Sequence, residues 1–283
     1  MAKLLLGEEV NAAINSRISE KVAALGGKGI VPTLGIVRVG EREEDLSYER
    51  GACKKCETLG IAVEKFVLPS DVSQEELLKV IDEVNNNDKI HGVLIFRPLP
   101  KHIDEDMVIN ALKPEKDVDG ITQGSMYGVF TGRQIGYPPC TPQACMEILD
   151  YYGIDCTGKK AVVIGRSLVV GKPAAMMLLK KNATVTICHT RTKDMPSVAK
   201  EAEILIAAAG KAGVVGQDYV SEGQIVIDVG ININEEGKLC GDVAFDEAEP
   251  VVGAITPVPG GVGAVTTSVL IEHVVIAAEK AWC

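Results

Sequence analysis

Residues 160–173, KAVVIGRSLVVGKP, constrain the fold of this chain more than any other stretch. An apolar, largely β-branched run at 161–164 stops at Gly165, a polar pair comes next, and Gly171 opens an amphipathic segment reaching Leu179. The pattern reads as strand, glycine turn, helix. Such a turn leaves backbone N–H groups at a helix N-terminus, aimed at whatever anion lies above it. The glycines are spaced G-x5-G, however, and depart from the G-x-G-x-x-G fingerprint of dinucleotide folds. On this segment alone, a dinucleotide site and a plain βα unit are both open.

The next strand favours the dinucleotide. TVTIC at 184–188 ends in His189-Thr190-Arg191-Thr192, with no acid before Asp194. In a dinucleotide fold, an Asp or Glu after this strand selects NAD through the ribose 2′-hydroxyl, whereas a basic group accommodates the 2′-phosphate of NADP. Thr190 and Arg191 therefore favour NADP over NAD, and Arg166 in the first turn adds a second positive charge. The bland alternative for Arg191 is a solvated loop residue. Two further runs, 203–209 and 224–229, are each followed by glycine and read as strands buried on both faces of a parallel sheet.

The 283 residues suit two domains. Apolar content of 46% and charged content of 24% are those of an ordinary globular protein. A net charge of −10 argues against nucleic acid as a partner, so an anionic ligand must be met by local basic residues. The eight cysteines form no disulfide-like framework. Cys53-x-x-Cys56 lies in a predicted helix without a second pair, so no metal is expected. The short run 4–6 is followed at once by Gly7-Glu8-Glu9, which is too little for a signal peptide. No uncharged apolar run approaches a membrane span, and a reducing cytoplasm is the expected location.

The first half also alternates. Val10, Ala13, Ile14, Ile18 and Val22 share one face of an opening helix. Strands are predicted at 33–39, 61–68 and 92–96, and helices at 43–59, from Ser73 through Val84, and at 105–112. Ser73 and Glu76 form a capping box. Residues 113–133 read as a Gly- and Asp-rich loop, and Thr141-Pro142 as a helix start with Thr141 as the cap. Residues 265–282 read as an amphipathic helix after the stiff loop TPVPGGVG at 256–263.

Taken together, these residues resemble the methylenetetrahydrofolate dehydrogenase/methenyltetrahydrofolate cyclohydrolase family over nearly the full length. The matching blocks are Ser47-Tyr48 in the helix ending at Leu59-Gly60-Ile61, PLPKH at 98–102, PEKDVDG at 114–120 and PCTP at 139–142. The turn at 165–173, DVGIN at 228–232, GDV at 241–243 and the loop at 256–263 complete the set. The resemblance implies an α/β fold: an N-terminal folate-binding catalytic domain (1–138 plus 265–283) and a Rossmann-like NADP-binding domain with a parallel sheet (139–264). The C-terminal helix returns to the first domain. It also implies a homodimer through the nucleotide domain, and tetrahydrofolate derivatives as substrates, polyglutamylated forms included.

In that resemblance folate lies in a cleft between the domains, with Tyr48 stacked on the pterin and Asp119 bonded to its amino edge. Pro259, Gly260 and Gly261 border folate and nicotinamide. Gly165, Arg166 and Ser167 hold the NADP phosphates and ribose, Thr190 and Arg191 the 2′-phosphate end, and Ile231 the nicotinamide side. The bland alternatives are a core aromatic at Tyr48 and a turn residue at Asp119. The dehydrogenase step needs mainly alignment of two rings. The cyclohydrolase step uses, in the family, a Lys four residues after the Tyr and a Gln just before the proline turn. Ala52 and Phe96 stand there instead, and Ser125 is nearest to the family's asparagine after the Asp-Gly block. Loss of a positioned acid/base costs about 10²- to 10⁴-fold in rate, so hydrolysis is expected to be weak or lost.

One rescue is open. Lys55, seven residues after Tyr48, lies on nearly the same helix face and leans toward Ala52. Its bland alternative is a solvated lysine. A non-catalytic folate- or NADP-binding protein is the reading of another class.

Overall fold

The computed structural model describes residues 1–282 (for Trp282, the backbone alone). Two compact units form: residues 1–12 with 139–266, and residues 13–138 with the chain from Thr267 onward.

The first unit is built on a six-stranded sheet. Its order is Lys3–Leu4, Ala254–Ile255, Ile225–Asp228, Ile204–Ala207, Lys160–Ile164, Thr184–Cys188, and every neighbouring pair is parallel. The continuous apolar runs explain this arrangement. Ile204–Ala207 is buried throughout, and Lys160–Ile164 is buried after its first residue, as strands covered on both faces must be. The chain leaves Lys160–Ile164 for Thr184–Cys188 on one side, then returns to Ile204–Ala207 on the other. That reversal is the topological switch point, where α/β sheets bind ligands beyond the strand carboxyl ends. A core of Val162, Ile164, Leu205, Val226 and Ile255 lies against the sheet. The two-residue edge strands Lys3–Leu4 and Ala254–Ile255 are too short to leave a periodic signal in the sequence.

The second unit has a parallel three-stranded sheet, ordered Ala62–Leu68, Thr33–Val39, Gly92–Ile95. Its core contains Val37, Leu77, Ile81, Val84, Val93 and Ile95. The capping box at Ser73 and Glu76 is present in both directions and starts the helix Gln74–Asn86. Beyond Thr267, the C-terminal helix Val262–Trp282 joins this unit. Arg17 donates to Glu272 from Nε and Nη2, both at 3.0 Å, and Lys21 meets Glu279 at 2.7 Å. The helix is long and apolar enough to cross a membrane by length and composition. Sixty-seven per cent of that window is buried inside the protein, with Leu270, Ile271 and Val274 fully covered.

Two expectations need correction. Residues 113–133 are not one loop, because a helix spans Gln123–Thr131 with Thr122 as its cap. Its glycines serve packing: a Cβ at Gly124 would strike the Pro114 ring, and one at Gly128 the Ile135 carbonyl. The helix near Thr141 runs Cys140–Tyr151 with Pro139 at the cap position, so Thr141 lies inside it. Proline's fixed φ already suits a helix entrance.

Ser73→Ala removes the side-chain acceptor for the Glu76 N–H. It should lower unfolding free energy by about 1 kcal/mol, read as a lower urea midpoint at unchanged slope.

Candidate active site

In the second unit, Tyr48 lies on the helix Glu43–Thr58 and is 42% exposed, so it is not a core aromatic. Its ring meets Phe96 edge-on, with centroids 5.9 Å apart and planes at 80°. Phe96 directly follows the strand Gly92–Ile95, donates its N–H to the Val37 carbonyl at 3.0 Å and is 8% exposed. A cis peptide, Arg97-Pro98, comes next. Ala52, one turn beyond Tyr48, is 1% exposed. The two positions read from the sequence as having lost their polar groups are therefore buried and apolar.

The helix bearing Tyr48 is fixed from behind by charge. Buried Glu49 accepts from Arg38 Nε at 2.8 Å and meets Lys65 Nζ at 2.8 Å, which ties the helix to strands Thr33–Val39 and Ala62–Leu68. Arg38 also donates to the Gly40 carbonyl. Burial works against the Glu49 carboxylate, but the bonds from Lys65 and Arg38 prevail and hold it below the ordinary glutamate range.

Lys55 is half-buried, which the solvated-lysine alternative did not foresee. Its ammonium donates to Ser268 Oγ, and Ser268 donates to Asn15 Oδ1 at 3.1 Å. Burial lowers the Lys55 pKa from the ordinary lysine value. Cys56 beside it is fully buried, and burial pushes its thiol up to about 12, leaving no thiolate at neutral pH. Among the described residues, no group of three or more His, Cys, Asp or Glu side chains is placed to hold a metal ion.

Asp119 is half-buried, and two residues before it Asp117 organises the turn. The Asp117 carboxylate accepts from Ile121 N at 3.0 Å, Thr122 N at 2.7 Å and Ser125 Oγ at 2.6 Å. Ser125 is wholly buried by that bond. Sequence reading missed Asp117; its signal was the paired acid in DVDG followed by Thr122 and Ser125.

In the first unit, Gly165 has φ +130° and its N–H donates to the Cys188 carbonyl at 2.9 Å. A Cβ there would strike the Ala208 carbonyl, and one at Gly171 would strike the Gly165 carbonyl. Ser167 Oγ accepts from Val170 N at 3.1 Å and Gly171 N at 3.4 Å, bracing the entrance to helix Gly171–Lys180. The segment 189–192 is braced from within: the Thr192 N–H donates to the His189 carbonyl at 2.7 Å, and the Arg191 N–H to His189 Nδ1 at 3.1 Å. Arg166, Thr190 and Arg191 are all exposed.

Ile231 is 68% exposed. Pro259 follows a cis peptide, Gly260 has φ +101°, and the Gly260 carbonyl accepts from Gly7 N at 2.8 Å. A Cβ on Gly7 would strike the Gly261 carbonyl, so Gly7 is a further glycine that shapes this loop. Asp228 is buried and accepts from the N–H groups of Gly230, Asp242 and Val243. Burial pushes its carboxyl up to about 6, against the pull of those three donors.

Matched against protein-family models, residues 5–119 fit the tetrahydrofolate dehydrogenase/cyclohydrolase catalytic domain. Residues 139–282 fit the same family's NAD(P)-binding domain. The chain belongs to this family. A bifunctional protein FolD from Carboxydothermus hydrogenoformans is 56% identical over 281 residues, covering 99% of this chain and 98% of the relative. The FolD crystal structure from Campylobacter jejuni superposes with a TM-score of 0.96 at 40% identity, covering 99% of both chains. A Trypanosoma brucei FolD complexed with NADP cofactor and inhibitor gives 0.91 at 34% identity, covering 99% of this chain and 98% of that one. The dehydrogenase/cyclohydrolase family's two domains thus span nearly all of the chain, and the nucleotide unit is Rossmann-like.

Glu49→Gln leaves the Arg38 charge without its counter-ion in a buried site and should destabilise the protein by about 3 kcal/mol at neutral pH. Because the folded Glu49 pKa is depressed, its contribution is present above about pH 5 and is lost as pH falls through the folded value. The difference in urea midpoint between wild type and variant should therefore shrink as pH falls through and below the ordinary glutamate range.

Proposed function

We propose that this chain oxidises 5,10-methylenetetrahydrofolate to the methenyl form with NADP⁺ and has weak or no cyclohydrolase activity. One observation carries the second clause: Ala52 and Phe96 are buried and apolar, at 1% and 8% exposure, where hydrolysis calls for a positioned acid/base and its polar partner. Hydride transfer makes no such demand. The folate nitrogen lone pair drives it, and the protein supplies alignment and exclusion of water. Tyr48, edge-on to Phe96, offers the exposed aromatic face on which a pterin stacks, and Asp119 offers a carboxylate for its amino edge. The Gly165–Gly171 turn, with Arg166 and Ser167 on it, brings the NADP phosphates to the N-terminus of helix Gly171–Lys180. Arg166, Thr190 and Arg191 supply the 2′-phosphate contacts. A homodimer, a cytoplasmic setting and use of polyglutamylated folates accompany this reading.

A second reading keeps hydrolysis through Lys55. Its half-buried position, its bond to Ser268 and its lowered pKa favour it, since a lysine tuned downward by burial is suited to proton transfer.

Given methylenetetrahydrofolate and NADP⁺, the purified protein should form NADPH while 10-formyl-tetrahydrofolate appears no faster than in buffer. Formation well above buffer that Lys55→Ala abolishes would establish the second reading instead. Separately, Arg166→Ala and Arg191→Ala should each raise KM for NADP⁺ by about tenfold, the worth of one charged hydrogen bond, and leave KM for NAD⁺ nearly unchanged. If neither arginine matters, the 2′-phosphate assignment fails.

A further inference from the structure

Asp242 is a fully buried aspartate to which the proposed chemistry gives no role. Its carboxylate accepts three N–H bonds. Gly210 N reaches Oδ2 at 2.9 Å, while Lys211 N and Asn232 Nδ2 both reach Oδ1 at 2.9 Å. Gly210 and Lys211 belong to the segment that leaves strand Ile204–Ala207. Asn232 belongs to the segment that leaves the adjacent strand Ile225–Asp228, and it opens the hairpin of Asn232–Ile233 with Leu239–Cys240. One carboxylate therefore ties together the loops that come after two neighbouring strands.

Asp242 is itself held from both sides. Its N–H donates to Asp228 Oδ1 at 3.0 Å, and its carbonyl accepts from Val215 N at 3.0 Å. Gly230 leaves the space that the tie needs, because a Cβ there would run into the Asp242 backbone and carboxylate.

The position of these two loops gives the tie its meaning. A dinucleotide lies across the carboxyl edge of such a sheet, with its pyrophosphate at the first glycine turn. That turn, Gly165–Gly171, follows strand Lys160–Ile164, and the basic Arg191 segment follows Thr184–Cys188 on one side of it. The adenosine half occupies that side. The nicotinamide half then extends the other way, over the ends of Ile204–Ala207 and Ile225–Asp228.

We propose that Asp242 is a positioning residue for the nicotinamide half of NADP. By holding residues 210–211 against Asn232, it sets the spacing of the two loops over which the ring must lie, and it fixes the backbone beside exposed Ile231. This rests on NADP crossing the carboxyl edge of the sheet in the usual Rossmann sense.

An amide in place of the carboxylate cannot satisfy all three donors, since its NH₂ group must face at least one of them. Asp242→Asn therefore releases at least one loop, and Asn232→Ala releases the hairpin while leaving the bonds to residues 210–211. The test compares two ligands titrated into the full chain: NADP⁺, and 2′-phospho-ADP-ribose, which is the same molecule without nicotinamide. Asp242→Asn should weaken NADP⁺ by about tenfold, as expected for a lost charged hydrogen bond, and change 2′-phospho-ADP-ribose by less than about twofold. Asn232→Ala should act in the same direction with a smaller effect, and it carries the same comparison if Asp242→Asn does not fold. Equal losses for both ligands would make Asp242 a structural residue only, and no loss for either would also overturn the proposal. Wild-type protein that bound neither ligand would instead refute the placement of NADP on this sheet.

Discussion

A parallel sheet places all of its strand carboxyl ends on one edge, and in the nucleotide unit everything chemical depends on that constraint. Gly165, the 189–192 segment, the 208–211 segment, Val229–Gly230 and the 256–261 loop all leave strands in the same direction. Each is then braced locally. The Ser167 hydroxyl braces the first, the His189 ring the second, Asp242 the third and fourth, and Gly7 the last. Because the central strands are covered on both faces, a ligand meets the backbone N–H groups beyond their carboxyl ends. The braces hold those groups in place before any ligand arrives, which reduces the ordering cost of binding.

The other unit meets a different constraint, since its three-stranded sheet is small and must anchor a long helix carrying an exposed aromatic. Ion pairs do this work. Glu49 draws Arg38 and Lys65 onto one carboxylate, and Arg17 grips Glu272 on the C-terminal helix with two parallel bonds. Such pairs add geometric specificity more reliably than stability.

The sequence revealed the regular parts of the fold because their periodicity survives over many residues. Strands such as Thr33–Val39 and Thr184–Cys188, and the capping box at Ser73, lie where the alternation and cap chemistry placed them. The two-residue strands at Lys3–Leu4 and Ala254–Ile255 did not register, because pairing and not pattern creates them. Helix Gln123–Thr131 was hidden by glycines whose reason is a neighbour outside the helix, Pro114 or Ile135. Among the site residues, Tyr48 and Gly165 could be read from motifs. The carboxylates of Asp117, Asp228 and Asp242 could not be sorted from surface acids, since their roles lie in backbone N–H groups up to 32 residues away.

The contrast between Ala52 and the nucleotide loops arises from what each reaction asks of a protein. Hydride transfer between two bound rings is carried by the cofactor, so a scaffold of glycine turns and backbone donors suffices, and those features are intact here. Hydrolysis of a methenyl cation requires a water to lose a proton at a defined place, and that requires a side chain with a suitable pKa. Phe96 and Ala52 fill their positions with hydrocarbon and leave Tyr48 packed against an aromatic edge. Apolar residues at these two positions are compatible with hydride transfer, and the half-buried ammonium of Lys55 is the group against which any hydrolysis has to be judged.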